Sequence, residues 1–511
     1  MTAPSPGAAL PALDGGFRLW LKDRTQVEQG ILQGAPFRVL ETERGRYDGM
    51  LDFLLHTGLW AAATQMRPSG LKQDNGIPYR CLNGLECLRE MAGIATPAEC
   101  GPLLKDAYLL ERIGFTAEKI ERRTAGERTM IDPETLNNHL ARFSEADLEA
   151  GFVAHLGVIR QKRWLRGGVY AVDGHDLMIP YGKGYEGARR ISGGSYGYKL
   201  LVLLNLQEDC ELVVGYVLAG LEESEITLLR RLLARLDHTL GPLREWLKIL
   251  VMDRGYWGTD LFWELKQGYG IDFVSRVRDE NLEINGHIQR QLEEPDRRWT
   301  TIEEQRQFSG RLEQQRVRLT ALRPITLISD QTQREIVVNV VVAVQSHLDG
   351  TPLRDKKGKD ISTSQYVTSL PTGPYGVKIR RFYRGRWGIE NQGFRSLSQT
   401  WNIDRPAGHS FGAVLARLVF VFLIYNASHL FEKQSRHRPD DAAQLRRLRS
   451  YGAGLRLAGA TNIVLTESGF CCAMSTRELL RLQKQRLKRG LQRQLEAGRS
   501  LTDALKELDS S

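Results

Sequence analysis

The chain has 511 residues, 41% hydrophobic and 26% charged, with a formal charge of +10. That length excludes one ordinary domain and predicts two to four, while the apolar content is that of a soluble globular protein. The positive excess suits a polyanionic partner, though an unspecialised basic surface has the same composition. The six cysteines, Cys81, Cys87, Cys100, Cys210, Cys471 and Cys472, contain no C-x-x-C pair, which excludes a zinc-finger pattern. Reduced structural thiols in a cytoplasmic protein are expected. The most apolar run, Leu418 to Tyr425, is too short to cross a bilayer. The opening Met1-Thr2-Ala3-Pro4 lacks a basic residue before an apolar core, so no signal peptide is expected.

Residues 1–16 are rich in Ala, Pro and Gly and predict a disordered leader. Residues 17–160 read as a helical, DNA-binding region. Leu103 to Leu110 has a helical pattern ending near Gly114, and Thr116 can cap a second helix reaching Arg123. Asp132-Pro133 then predicts a helix start, because Asp caps well and Pro suits the first helical position. That helix would bury Leu136, Leu140 and Phe143 and expose Asn137, Asn138, His139 and Arg142. A helix-turn-helix reader of DNA and an ordinary helical bundle fit this pattern equally well.

From residue 165 the pattern changes. Strands are predicted at Val169–Asp173, Tyr198–Leu206 and Glu211–Leu218, then a helix Glu223–Leu236 with leucines at helical spacing. Strand Leu247–Asp253, helix Thr259–Lys266 and strand Asp272–Arg278 follow. The β-β-β-α-β-α-β order predicts an α/β ribonuclease-H-like core over residues 161–430, whose first and fourth strands lie side by side. Further Val-, Ile- and Thr-rich strands at Arg316–Ala321 and Glu335–Val344 predict a β-rich inserted subdomain at about 280–365. Gly373–Gln399 reads as mainly helical. An apolar helix Phe411–Leu430 follows. Residues 431–511 read as a helical basic region, whose last helix Thr476–Ala497 pairs a Leu480, Leu487, Leu491, Leu495 stripe with a basic face. The stripe suits packing on the body or on a second subunit; the basic face suits DNA or solvent.

Asp173 and Asp253 end two apolar strands, and Glu390 shares a helical face with Tyr383 and Arg386 through spacings of three and four. Gathered carboxylates repel one another, and divalent cations relieve that repulsion while activating an oxygen nucleophile against a phosphodiester. Gly385 and Gly388 would each cost roughly 1 kcal/mol in a helix that needed only a surface ion pair. Carboxylate oxygens favour Mg²⁺, with Mn²⁺ as an alternative. His175 faces the same way as Asp173 along a strand, which suits a supporting or packing role. Gly182-Lys183-Gly184-Tyr185-Glu186-Gly187 matches a dinucleotide fingerprint but joins two strands, so it reads as a basic loop with Lys183, Arg189 and Arg190.

Asp253-Arg254-Gly255-Tyr256 and the Tyr383-x-x-Arg386-x-x-x-Glu390 spacing resemble the DDE transposases of the IS4 insertion-sequence family, over roughly residues 165–430. The resemblance implies a catalytic and metal-binding triad of Asp173, Asp253 and Glu390. It implies phosphate contacts by Tyr383 and Arg386, double-stranded DNA as substrate (element ends and target), and a homodimer in the DNA complex. Arg254, Lys183 and Arg395 are further expected DNA contacts. Where the family carries a Lys, seven residues after the Glu, this chain has Leu397. Trp299 suits stacking on a flipped base or packing within the insertion. A metal-dependent nuclease without strand transfer and an inactive DNA-binding relative are the alternatives.

Overall fold

The computed structural model describes residues 9–11, 17–19, 21–42, 44–72, 77–105, 109–110, 113–114, 131–179, 182–190, 195–206, 210–277, 283–308, 311–354, 358, 360–373, 376–388, 394–434 and 461–503. Its contacts divide it into two units: Ile159–Gln399, and Met1–Val158 together with Thr400–Ser511.

The unit Ile159–Gln399 is built on one mixed sheet. Strands β1 (Val169–Ile179), β2 (Tyr196–Asn205) and β3 (Leu212–Ala219) form an antiparallel meander. Every β3 residue is buried, which is why its sequence reads as an unbroken apolar run. Helix α1 (Glu225–Leu240) starts at Ser224, whose Oγ accepts from the Thr227 amide at 3.2 Å. Its Leu228, Leu229, Leu232, Leu233 and Leu236 are buried, each contributing roughly 1.5–3 kcal/mol. A Cβ at Gly215 of β3 would lie 3.0 Å from Leu232 and Leu236, so this glycine permits the close approach of α1. Strand β4 (Ile249–Met252), helix α2 (Thr259–Trp263) and strand β5 (Asp272–Arg276) complete the core. β4 lies parallel to both β1 and β5. The spatial order β3-β2-β1-β4-β5 is that of the ribonuclease-H-like fold expected from the strand pattern.

After β5 come helix α3 (Glu283–Leu292) and strands β6 (Thr300–Phe308), β7 (Arg311–Ala321), β8 (Ile325–Ile328), β9 (Glu335–His347) and β10 (Thr363–Thr368). The expected separate subdomain is corrected here. β10 pairs antiparallel with β5, and β9, β7 and β6 continue the same sheet outward. The open edge of β5 supplies the hydrogen-bonding partner that makes this continuation possible. Helix α4 (Gly376–Gly388) contacts this sheet, and the short helix α5 (Arg395–Gln399) ends the unit.

The other unit joins regions far apart in sequence. Strands Leu21–Lys22, Phe470–Ser475, Thr461–Thr466 and Phe37–Thr42 form a four-stranded sheet. Val27 and Ile31 of helix Arg24–Gln33 pack with Val464, Met474, Leu479 and Leu482 on it. Residues 17–160 and 431–511 were expected to be helical; this shared sheet is the departure. Helix Phe411–Gln434, read with the core, belongs to this unit. By length and composition it is apolar enough to cross a membrane, yet 89% of its most apolar window is buried inside the protein. Arg417 on it meets Glu90, and Glu90 meets Arg89, which also bonds Glu86; all four side chains are buried. Helix Pro133–Leu140 is capped by Asp132 as expected. His139 is buried rather than exposed, because its Nε2 reaches Asn83 Oδ1 at 2.7 Å. The predicted helix Thr116–Arg123 lies outside the described residues.

Candidate active site

Parallel pairing of β1 with β4 ends at Val172 and Met252, so Asp173 and Asp253 emerge together beyond it. Asp173 does not end its strand as expected. β1 runs on to Ile179 because β2 keeps pairing with it, Asp173 opposite Val202. The Gly174 amide donates to Asp173 Oδ1 at 3.0 Å, and Ser275 Oγ donates to the Asp253 carbonyl at 3.1 Å.

Above these carboxylates lies α4. Ile379, Arg380, Tyr383 and Arg386 are its buried face, at helical spacing. Tyr383 donates its hydroxyl to Asp253 Oδ1 at 3.1 Å. Arg386 Nη1 lies 3.2 Å from Asp173 Oδ2, and its Nη2 lies 3.6 Å from Asp253 Oδ1. One guanidinium thus spans both acids and is itself 3% exposed. Its Cζ sits 5.4 Å from the Tyr383 ring centroid. Burial pushes the Tyr383 phenol above its usual range; Arg386 opposes this and Asp253 adds to it. Tyr383 is therefore a hydrogen-bond donor at neutral pH.

The insertion holds α4 in place. Glu304 on β6 accepts from Arg380 Nε at 3.1 Å and Nη2 at 2.9 Å, and also from Arg384. Arg380 Nη1 donates to the Tyr366 hydroxyl at 3.0 Å, and the Tyr366 and Tyr383 rings lie 5.1 Å apart. A cavity of about 280 Å³ opens beside Tyr383, lined by Arg276, Arg380 and Arg384 among others. Sequence reading missed these three arginines. The spacing of Arg380 and Arg384 around Tyr383 was the available signal.

The remaining expected residues are dispersed. Glu390 lies outside the described residues. Arg254 follows Asp253 and is exposed, and Lys183 is exposed on the turn Gly182–Gly184. Arg395 is the first residue of α5. Leu397 is fully buried, so the position where the family has Lys is a packing position. His175 stacks on Phe394, ring centroids 5.2 Å apart, in the packing role anticipated. Trp299 carries Arg318 over its ring at 4.8 Å. A Cβ at Gly385 would lie 3.4 Å from Leu206 Cδ1, so close helix packing is a sufficient reason for that glycine.

Among the described residues no group of three His, Cys, Asp or Glu side chains could hold a metal. Asp173 and Asp253 nevertheless fit one in chemistry: they are hard oxygen donors side by side, and a cationic group already bridges them. The profile of the family described as "Transposase DDE domain" matches residues 164–427. No curated protein matches the chain. Among solved structures the chain is similar to the piggyBac transposase in the cryo-EM structure of its synaptic complex with hairpin DNA. The TM-score is 0.38 at 13% identity, covering 82% of this chain and 84% of that one.

Proposed function

The chain belongs to the DDE-domain transposase family, and from that premise we propose that it is the DNA transposase of an IS4-type insertion sequence, cutting element ends and joining them to target DNA. The observation that carries the reading is the pairing of Asp173 with Asp253 beneath Arg386 and Tyr383. Mg²⁺ or Mn²⁺ held by Asp173, Asp253 and Glu390 would supply activation of the attacking oxygen and stabilisation of the departing 3′-oxygen. The chain's own residues orient this chemistry. Tyr383 fixes one Asp253 oxygen through its hydrogen bond. Arg386 neutralises the acid pair and has the planar fork that suits a phosphate when DNA is bound. Lys183, Arg254 and Arg395 are assigned to the DNA backbone. Residues 17–160 are assigned to recognition of the ends. The partners are double-stranded element ends and target DNA, engaged by a homodimer in the cytoplasm.

The test is a cleavage and joining assay on the element's own ends with Mg²⁺. Wild-type protein should nick and join. Asp173→Asn, Asp253→Asn and Glu390→Gln should each abolish cleavage while retaining DNA binding. Cleavage without joining would favour a nuclease of the same fold. Binding without cleavage by wild-type protein would favour an inactive relative.

A further inference from the structure

Glu225, the first residue of α1, lies across the β1 backbone from Asp173. A Cβ on Gly174 would sit 2.5 Å from Glu225 Oε1 and 2.6 Å from its Cδ, so the carboxylate occupies the space that any other side chain at 174 would fill. The same Gly174 amide holds Asp173. Lys199 Nζ stands 3.5 Å from Glu225 Oε1, but only 2.5 Å from Asp176 Oδ1, so its charge is shared. The α1 N-terminus favours the ionised acid. On the Asp253 side, the Tyr256 side chain is fully buried. Its hydroxyl faces Glu225 without completing a hydrogen bond. Burial, then the charges of Glu225, Asp173 and Asp253, drive that phenol well above its usual range and keep its proton in place. A buried donor without an acceptor is costly unless something supplies one. These acids converge on one buried hydroxyl, and a surface ion pair with Lys199 would need neither Gly174 nor Tyr256.

We propose that Glu225 is a positioning residue of the Asp173–Asp253 site, acting with Tyr256 to support the divalent cation from outside its direct ligands. The proposal rests on the metal-dependent reading above. Outer partners of this kind typically change metal affinity by about 10–100-fold.

The experiment is a Mn²⁺ titration of the full-length protein without DNA, read by the electron paramagnetic resonance signal of unbound Mn²⁺. Glu225→Gln should weaken binding about tenfold. Gly174→Ala, which displaces the carboxylate, should weaken it similarly, and Glu225→Asp should restore part of the loss. Melting curves without metal identify variants that fail to fold, and Glu225→Asp keeps the test open if Glu225→Gln is one of them. A Glu225→Gln titration superimposable on wild type, with binding lost in Asp173→Asn, overturns the proposal and leaves the site intact. Titrations unchanged in Asp173→Asn and Asp253→Asn as well overturn the metal-dependent reading and the proposal together.

Discussion

Arg386 holds Asp173 at 3.2 Å while reaching 3.6 Å to Asp253, so a single cationic side chain links the two candidate catalytic acids. Removing it leaves two adjacent carboxylates without their bridge. Arg386→Gln should therefore destabilise the metal-free protein by about 2 kcal/mol, the scale of charged hydrogen bonds. Added Mn²⁺ should raise the melting temperature of the variant more than that of wild type. Because the contact is with the acids themselves, first-strand nicking should fall along with joining. Thermal melting with and without Mn²⁺, and nicking measured apart from joining, check these outcomes.

Glu304 fastens α4 to β6 through Arg380 and Arg384. Glu304→Gln should cost about 3 kcal/mol, since it leaves the buried Arg380 uncompensated. It should also reduce cleavage by loosening the helix that carries Tyr383 and Arg386. Burial alone would raise the Glu304 carboxyl, but hydrogen bonds from Arg380 and the charges of Arg380 and Arg384 outweigh it and hold it below the usual carboxylate range. Its folded value is depressed, so its contribution is present above the ordinary value near 4.5 and is lost as pH falls below that. Denaturant melts of wild type and Glu304→Gln should converge on acidification below that value.

Two buried histidines oppose acid in the other unit. Burial lowers His155 to about 3 and His139 to about 4. Both are neutral in the folded chain, so the unfolded chain binds protons first below about 6.5, and stability falls as pH drops from there toward 4 and 3. Each group contributes a slope of about 1.4 kcal/mol per pH unit across its window. Urea melts between pH 7.5 and 5 should show this decline. His155→Phe should flatten it.

Leu397 occupies the position where the family carries Lys, and it is fully buried. Leu397→Lys should therefore destabilise the chain by about 3 kcal/mol or more, through burial of an unpaired charge, without improving joining. Arg395→Ala should impair joining more weakly than Arg386→Ala does. Melting temperatures of Leu397→Lys and joining yields on pre-nicked ends for all three variants decide both expectations.

What the sequence by itself determined was local. Hydrophobic runs and periodicity located the core strands and helix α1, because a buried strand or an amphipathic helix must write its burial into neighbouring residues. Asp173 and Asp253 were legible because each follows such a run, and Tyr383 and Arg386 because they share a helical face. Only the tertiary structure decided what depends on pairing across long separations. Pairing with β2 carries β1 beyond Asp173, and the β5 edge recruits the insertion into one sheet. Glu304 meets Arg380, and Glu90 meets Arg417, because packing brings distant elements together. Glu225 reads in sequence as an ordinary acidic residue after a helix cap. Its place across Gly174 from Asp173 arises only when α1 settles on the sheet, a long-range contact that no local pattern of residues encodes.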